Sequence, residues 1–260
     1  MKFFFATFLF LITFLSKAQV VSLSDSVEII AAADTSFVDE LEADVPNLYF
    51  GTYEFVPEVT EELIRDRMSC AQGEIKLLYN PKINSFIDFF VRRRREYSIL
   101  MLQRKTLYFP IFEEILKKYG MPDELKYLAV VESGLKPTAL SPSNALGLWQ
   151  FIPSTGRLYG LKIDNYIDER LDIVKSTESA CRYLKWLYNA FGDWHLALAS
   201  YNCGPGYVQR AIKKAGGKND FWKIYDFLPQ ETRSYVPQFI AIAYFMQYHE
   251  DHNLFPPYQE

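Results

Sequence analysis

Glycine and proline interrupt the second half of the chain at short intervals: Gly120, Gly134, Gly147, Gly160, Gly192-Asp193, Gly204-Pro205-Gly206 and Gly216-Gly217. In a helix interior glycine costs about 1 kcal/mol relative to alanine, whereas just past a helix end it is favoured. Breaks at this spacing therefore limit most elements to a few helical turns. Between them, apolar residues recur at the helical period over residues 154–159, 174–191, 194–201, 206–215 and 232–250. There is no internal repeat and no run of regular strands, so the architecture is predicted to be mainly α.

Upstream, the helical period begins near Glu61. The segment 84–95, entered from Ile83, brings Ile83, Phe86, Ile87 and Phe90 to one side, and 98–118 continues with Leu100, Leu107, Phe112 and Ile115. The run Arg92 to Arg95 points all round such a helix and is read as a solvated face. Gly120 closes this stretch, and Pro122-Asp123-Glu124 opens the next helix, with proline where the missing N–H is harmless and acids at the positive dipole end. That helix runs through Leu125, Leu128 and Ala129 to Glu132 and ends at Gly134.

The N-terminus carries Met1-Lys2, an uncharged apolar stretch from Phe3 to Leu15, and Ser16-Lys17-Ala18 before a cut ahead of Gln19. This stretch is short for a hydrocarbon core of ~30 Å, which favours a cleaved export signal over an anchor. No cysteine follows the apolar run, so lipid attachment is not expected and the mature protein is expected to be soluble. From Gln19 to Glu62 there is no Lys or Arg, while Asp25, Glu28, Asp34, Asp39, Glu40, Glu42 and Asp44 accumulate. Such one-signed, weakly apolar sequence cannot offset the entropy of ordering, so disorder is expected from residue 19 to about 47. The expected organisation is a signal peptide over 1–18, an acidic spacer over 19–60, an N-terminal helical segment over 61–118 and a catalytic domain over 119–255. With 49% apolar residues the chain can bury a core, and its net charge of −4 argues against a nucleic-acid partner. Cys181 and Cys203 fall on successive predicted helices and either pair or stand as buried thiols; no CxxC suggests a zinc ribbon.

The candidate chemistry centres on Glu132. It lies four residues after Leu128 and seven after Leu125, on an inward stripe, where burial would raise a carboxyl pKa and suit a proton donor. A satisfied core glutamate is the alternative on position alone. Ser133 could hydrogen-bond that carboxyl or a substrate amide, or act as ordinary cap chemistry beside Gly134. Gly147 allows close backbone approach, Leu148 and Trp149 suit core packing, and Gln150 offers both a donor and an acceptor. Tyr201 and Asn202 sit at a helix end before Gly204, where side chains can open into a cleft, and Tyr235 lies on a later helix with Phe239 and Ile242. Asp164, Asp168, Glu169 and Asp172 suit capping and surface pairing, Asp193 suits an N-cap, and His249 and His252 suit a solvated terminal turn. No Ser-His-Asp set or phosphate-cradling loop is visible, and neither metal nor cofactor is expected.

At these residues the chain closely resembles the catalytic (SLT) domain of lytic transglycosylases, related in fold to goose-type lysozyme, and among them the membrane-bound lytic murein transglycosylase D type. The resemblance spans about residues 79–249 and rests on motifs in order at 128–133, 145–156, 168–170, 191–206 and 231–237. It implies a helical catalytic domain of the α+β lysozyme-like superfamily with an N-terminal helical extension. It further implies Glu132 as catalytic acid and base, and Ser133, Gln150, Tyr201, Asn202 and Tyr235 as substrate-binding residues. Ser200 stands where alanine is usual. No lipid-attachment cysteine is seen, and the sequence ends shortly after Pro256-Pro257 without LysM repeats. The implied partner is the peptidoglycan glycan strand in the bacterial periplasm or envelope, without a stable membrane span and with no protein partner indicated. The implied reaction cleaves the β-1,4 bond between N-acetylmuramic acid and N-acetylglucosamine and leaves a 1,6-anhydromuramyl end. A hydrolytic lysozyme of the same fold and a non-catalytic peptidoglycan-binding protein are the alternatives.

Overall fold

A computed structural model gives the structure of residues 55–256; the expected signal and most of the acidic spacer lie outside these described residues. Helix α1 (Glu61–Ala71) starts on Thr60, whose Oγ1 accepts from the Leu63 N–H. Helix α2 (Pro81–Asp88) starts on Asn80, whose Oδ1 is 3.0 Å from the Ile83 nitrogen. The period predicts one helix across 84–95. Instead α2 widens into a π-helical turn, Phe89–Arg93, and Arg94 leaves helical geometry before α3 (Arg95–Tyr119). Side chains supply the partners the next turn would have offered: Ser98 Oγ donates to the Phe90 carbonyl at 2.8 Å and Arg95 Nη1 to that of Val91 at 2.6 Å.

Arg95 also donates to the carbonyls of His252 (3.0 Å) and Asn253 (2.7 Å), clamping the C-terminal turn to α3. The expectation of a wholly solvated basic run is corrected there; Arg92 and Arg93 do stay at the surface, on Asp88. Leu107 is likewise exposed rather than part of the buried stripe. Phe109, Phe112 and Leu116 lie two, five and nine residues on, roughly half a turn round the helix, and they take the core-facing side.

After Gly120, in the left-handed region at φ 61°, a 3-10 turn Asp123–Leu125 leads into α4 (Lys126–Ser133), closed by Gly134 at φ 54°. Then follow α5 (Pro153–Leu158), α6 (Ile173–Phe191), α7 (Trp194–Cys203), α8 (Pro205–Lys214), α9 (Phe221–Ile224) and α10 (Gln230–Gln247). Asp172 and Asp193 cap α6 and α7, accepting at 2.9 Å from Lys175 N and Leu196 N. The one-turn α9 is too short to leave a periodic signal. Between α4 and α5 the chain folds back in isolated antiparallel bridges, Leu140 with Leu146 and Leu146 with Phe151.

Helix α10 is buried along nearly its whole length and packs on α1, α2, α4 and α7, while α6 packs on α3 and α7. One continuous core runs from Ile64 to Leu254 through Trp149, Phe239 and Tyr244. Each large apolar side chain in it contributes about 1.5–3 kcal/mol relative to exposure. Cys181 and Cys203 are unbridged thiols. His252 corrects the solvated-turn expectation: it is 2% exposed, against Tyr244. Among the described residues no helix is long and apolar enough to cross a membrane.

Candidate active site

Where α4 ends, its last turn opens on a cleft of about 620 Å³, walled by α10 on one side and by the 141–150 loop on the other. Glu132, Gln150, Tyr201, Asn202 and Tyr235 all line it. The phenolic hydroxyl of Tyr235 donates to Glu132 Oε1. Desolvation dominates the Glu132 carboxyl and, against the lowering effect of the Tyr235 hydrogen bond and with the nearby negative charge of Glu231, pushes its pKa up to about 8. The group therefore holds its proton at neutral pH and has a donor waiting to stabilise the anion once that proton leaves. Burial and the neighbouring Glu132 push the Tyr235 and Tyr201 hydroxyls well above their ordinary range, so both remain donors.

Tyr201 uses its hydroxyl on the Trp149 carbonyl at 2.8 Å, and its ring walls the cleft. Asn202 is held from both ends of its amide: Nδ2 donates to Glu231 at 3.1 Å and Oδ1 accepts from Thr232 at 2.7 Å. Gln150 adopts φ 46°, and its Nε2 donates to the carbonyls of Ala139 (2.9 Å) and Gly147 (2.8 Å). With both hydrogens so used, the expectation of a donor and an acceptor is corrected to an acceptor, Oε1.

Ser133 is not brought to the cleft. Its buried hydroxyl lies 2.9 Å from the Ala129 carbonyl and 3.0 Å from that of Leu148, so it ties the loop to α4 instead of meeting Glu132 or a substrate amide. Leu148 and Trp149 are core residues as expected, with Trp149 Nε1 donating to Thr177 at 2.8 Å.

Arg170 holds the same loop from outside. Only 5% exposed, it is paired with Asp168 at 2.6 Å, and its Nη1 donates to the carbonyls of Asn144 (2.6 Å) and Phe151 (3.0 Å). The surface pairing expected of Asp168 is corrected at its partner, since the buried loop carbonyls need donors and the Arg170 guanidinium reaches several at once. Gly147 completes the fit: at φ 84°, a Cβ there would lie 2.3 Å from the Arg170 carbonyl oxygen.

Sequence reasoning passed over Glu231, Ser234 and Gln238, which line the cleft with Tyr235 and Ile242. Their spacing, a polar stripe at intervals of three and four along an otherwise apolar helix, is the signal that could have found them. Among the described residues no group of three or more His, Cys, Asp or Glu could hold a metal ion.

The family model described as the transglycosylase SLT domain matches residues 109–224. Over 132 residues the chain is 50% identical to the membrane-bound lytic murein transglycosylase D of Escherichia coli strain K12, a stretch covering 49% of this chain and 29% of that protein. It is 27% identical over 152 residues to the soluble lytic murein transglycosylase of the same strain, covering 54% of this chain and 24% of that one. The chain thus spans less than a third of the length of these relatives. Among solved structures, the 70-kDa soluble lytic transglycosylase in complex with bulgecin A superposes with a TM-score of 0.50 at 18% identity, covering 89% of this chain and 44% of that one; this likeness speaks to the fold. Residues 109–224 are a transglycosylase SLT domain, of the kind carried by membrane-bound lytic murein transglycosylase D.

Proposed function

We propose that this protein is a peptidoglycan lytic transglycosylase that cleaves the β-1,4 bond between N-acetylmuramic acid and N-acetylglucosamine and leaves a 1,6-anhydromuramyl end. The observation that carries this reading is Glu132, a carboxyl set in the cleft and bonded to Tyr235, where burial pushes its pKa up to about 8. Its proton passes to the glycosidic oxygen as the bond from C1 breaks, while the substrate's own acetamido group supports the cationic carbon, an exception to the two-carboxylate scheme. The resulting carboxylate, stabilised by the Tyr235 hydroxyl, accepts the proton of the C6 hydroxyl as O6 bonds to C1. Glu132 is then protonated again and no water is consumed. Gln150 Oε1 accepts from an acetamido N–H, while Tyr201 and Asn202 shape the wall beside the scissile bond; Ser133 acts only through the loop it holds.

That both relatives are murein transglycosylases supports the substrate class. On this reading residues 1–18 direct export to the periplasm or envelope, 19–60 give reach, and the helices of 61–118 support the catalytic domain of 119–255. Mass spectrometry of the fragments released from purified peptidoglycan tests the proposal. Anhydromuramyl ends are expected; reducing muramyl ends would mean a hydrolytic lysozyme, and no cleavage a binding protein.

A further inference from the structure

Of the tryptophans among the described residues, three are packed: Trp149 in the core, Trp194 on Tyr188 at 4.2 Å and Trp222 on Tyr225 at 5.9 Å. Trp186, on α6, is different. It is 49% exposed, with one ring neighbour, Tyr183, whose centroid is 6.4 Å away and whose plane is tilted by 24°. Tyr183 in turn meets Tyr201 at 5.2 Å, and Tyr201 walls the cleft. A continuous aromatic row therefore leaves the cleft wall and ends in an open indole face.

The row is rigid. Tyr159 packs on Tyr183 at 4.7 Å, and Arg182, one turn before Trp186, donates to the Tyr159 carbonyl at 2.8 Å and to the Tyr119 hydroxyl at 3.1 Å. Neither the Tyr183 hydroxyl nor the Trp186 indole N–H has a protein hydrogen-bond partner among the described residues. Nearly parallel aromatic faces with free polar edges suit a pyranose ring, which offers an apolar C–H face and a rim of hydroxyls. Fixed rings also lose little freedom on binding.

We infer that Trp186 and Tyr183 form an accessory glycan site that continues the cleft and stacks a sugar ring of the strand beyond those held around Glu132. This inference rests on the glycan reading of the cleft. The site adds grip without touching the scissile bond, so it acts on affinity for long strands and not on the chemical step.

The test compares the protein with Trp186→Ala and Trp186→Tyr on uncrosslinked glycan strands of graded length. For Trp186→Ala, KM on long strands is expected to rise about threefold to tenfold, the worth of one aromatic contact. kcat is expected to stay unchanged, with no effect on the shortest strands cleaved, and Trp186→Tyr is expected to recover most of the loss. Calorimetric titration of the same strands into Glu132→Gln, with and without Trp186→Ala, reads binding apart from cleavage. A KM unchanged at every length, or raised equally at every length, overturns the accessory site. Absence of anhydromuramyl products from the unaltered protein overturns the functional reading instead, and length-dependent binding lost with Trp186 would still stand.

Discussion

At the residue scale, Glu132 is asked to be an acid and then a base, and its surroundings favour the first state while preparing for the second. Glu132→Gln keeps size and hydrogen bonding and removes the transferable proton. Turnover is expected to fall by ~100-fold or more with glycan binding retained, as measured by product release and calorimetry; turnover within a few-fold of the unaltered protein would remove Glu132 from the mechanism. For the unaltered protein, a proton donor with a pKa of about 8 should lose activity as pH rises above that value. Ser200, where the family resemblance leads one to expect alanine, is a different case: it is fully buried and its hydroxyl has no hydrogen-bond partner. Burying an unpaired hydroxyl costs about 1–3 kcal/mol, so Ser200→Ala should raise stability by about 1 kcal/mol, read as a higher denaturation midpoint at unchanged slope, with activity intact. A lower midpoint would mean that the hydroxyl has a partner after all.

At the element scale, the 144–151 loop is held by groups that never enter the cleft. Arg170 takes two of its carbonyls, Ser133 a third and Tyr201 a fourth, and Gly147 lets the chain pass close to the Arg170 backbone. Arg170→Lys preserves the charge but cannot hold Asp168 and two separated carbonyls at once. It should loosen the loop that aims Gln150, raising KM about tenfold with a smaller change in kcat, while Gly147→Ala, strained at φ 84°, should cost both stability and activity. Unaltered kinetics in Arg170→Lys would show that the remaining ties suffice. The periods of α4, α6, α7 and α10, the glycines that close α4 and α6 and the Asp193 cap of α7 were legible in the sequence because they are local, whereas Pro122-Asp123-Glu124 opens a 3-10 turn ahead of α4 and not the helix itself. The loop ties were not, since Ser133 and Leu148 are distant in sequence and no spacing rule relates them. Nor was the break at Arg94, which depends on Ser98 reaching back to Phe90, or the orientation of Gln150, whose amide is spent on Ala139. Glu231 was legible in principle, because its stripe with Tyr235 and Gln238 is periodic, yet a charge on a mostly apolar helix is easily taken for an end effect.

At the scale of the whole molecule, buried groups with displaced pKa values give stability two opposing dependences on pH. Burial lowers the pKa of His195 and His249, and takes His252 down to about 4, with the positive charges of Arg67 and Arg95 adding to the effect and Asp251 opposing it. The unfolded chain, with histidines near 6.5, then binds more protons than the folded one, so stability is present above that value and is lost as pH falls towards 4. For His252 alone the loss is about 3 kcal/mol. Glu132 works the other way. Its folded pKa lies above the ordinary carboxyl value, so its contribution is intact below about 4.5 and is lost as pH rises through about 8, when a desolvated group must ionise. Two variants separate the slopes in urea titrations from pH 4 to 9. Glu132→Gln should gain on the unaltered protein progressively between pH 4.5 and 8 and then hold a constant advantage, whereas His252→Gln should flatten the acid side alone. An advantage of Glu132→Gln that is already complete at pH 5 would place the Glu132 carboxyl near its ordinary pKa, and would deprive the cleft of the protonated acid on which the proposed reaction depends.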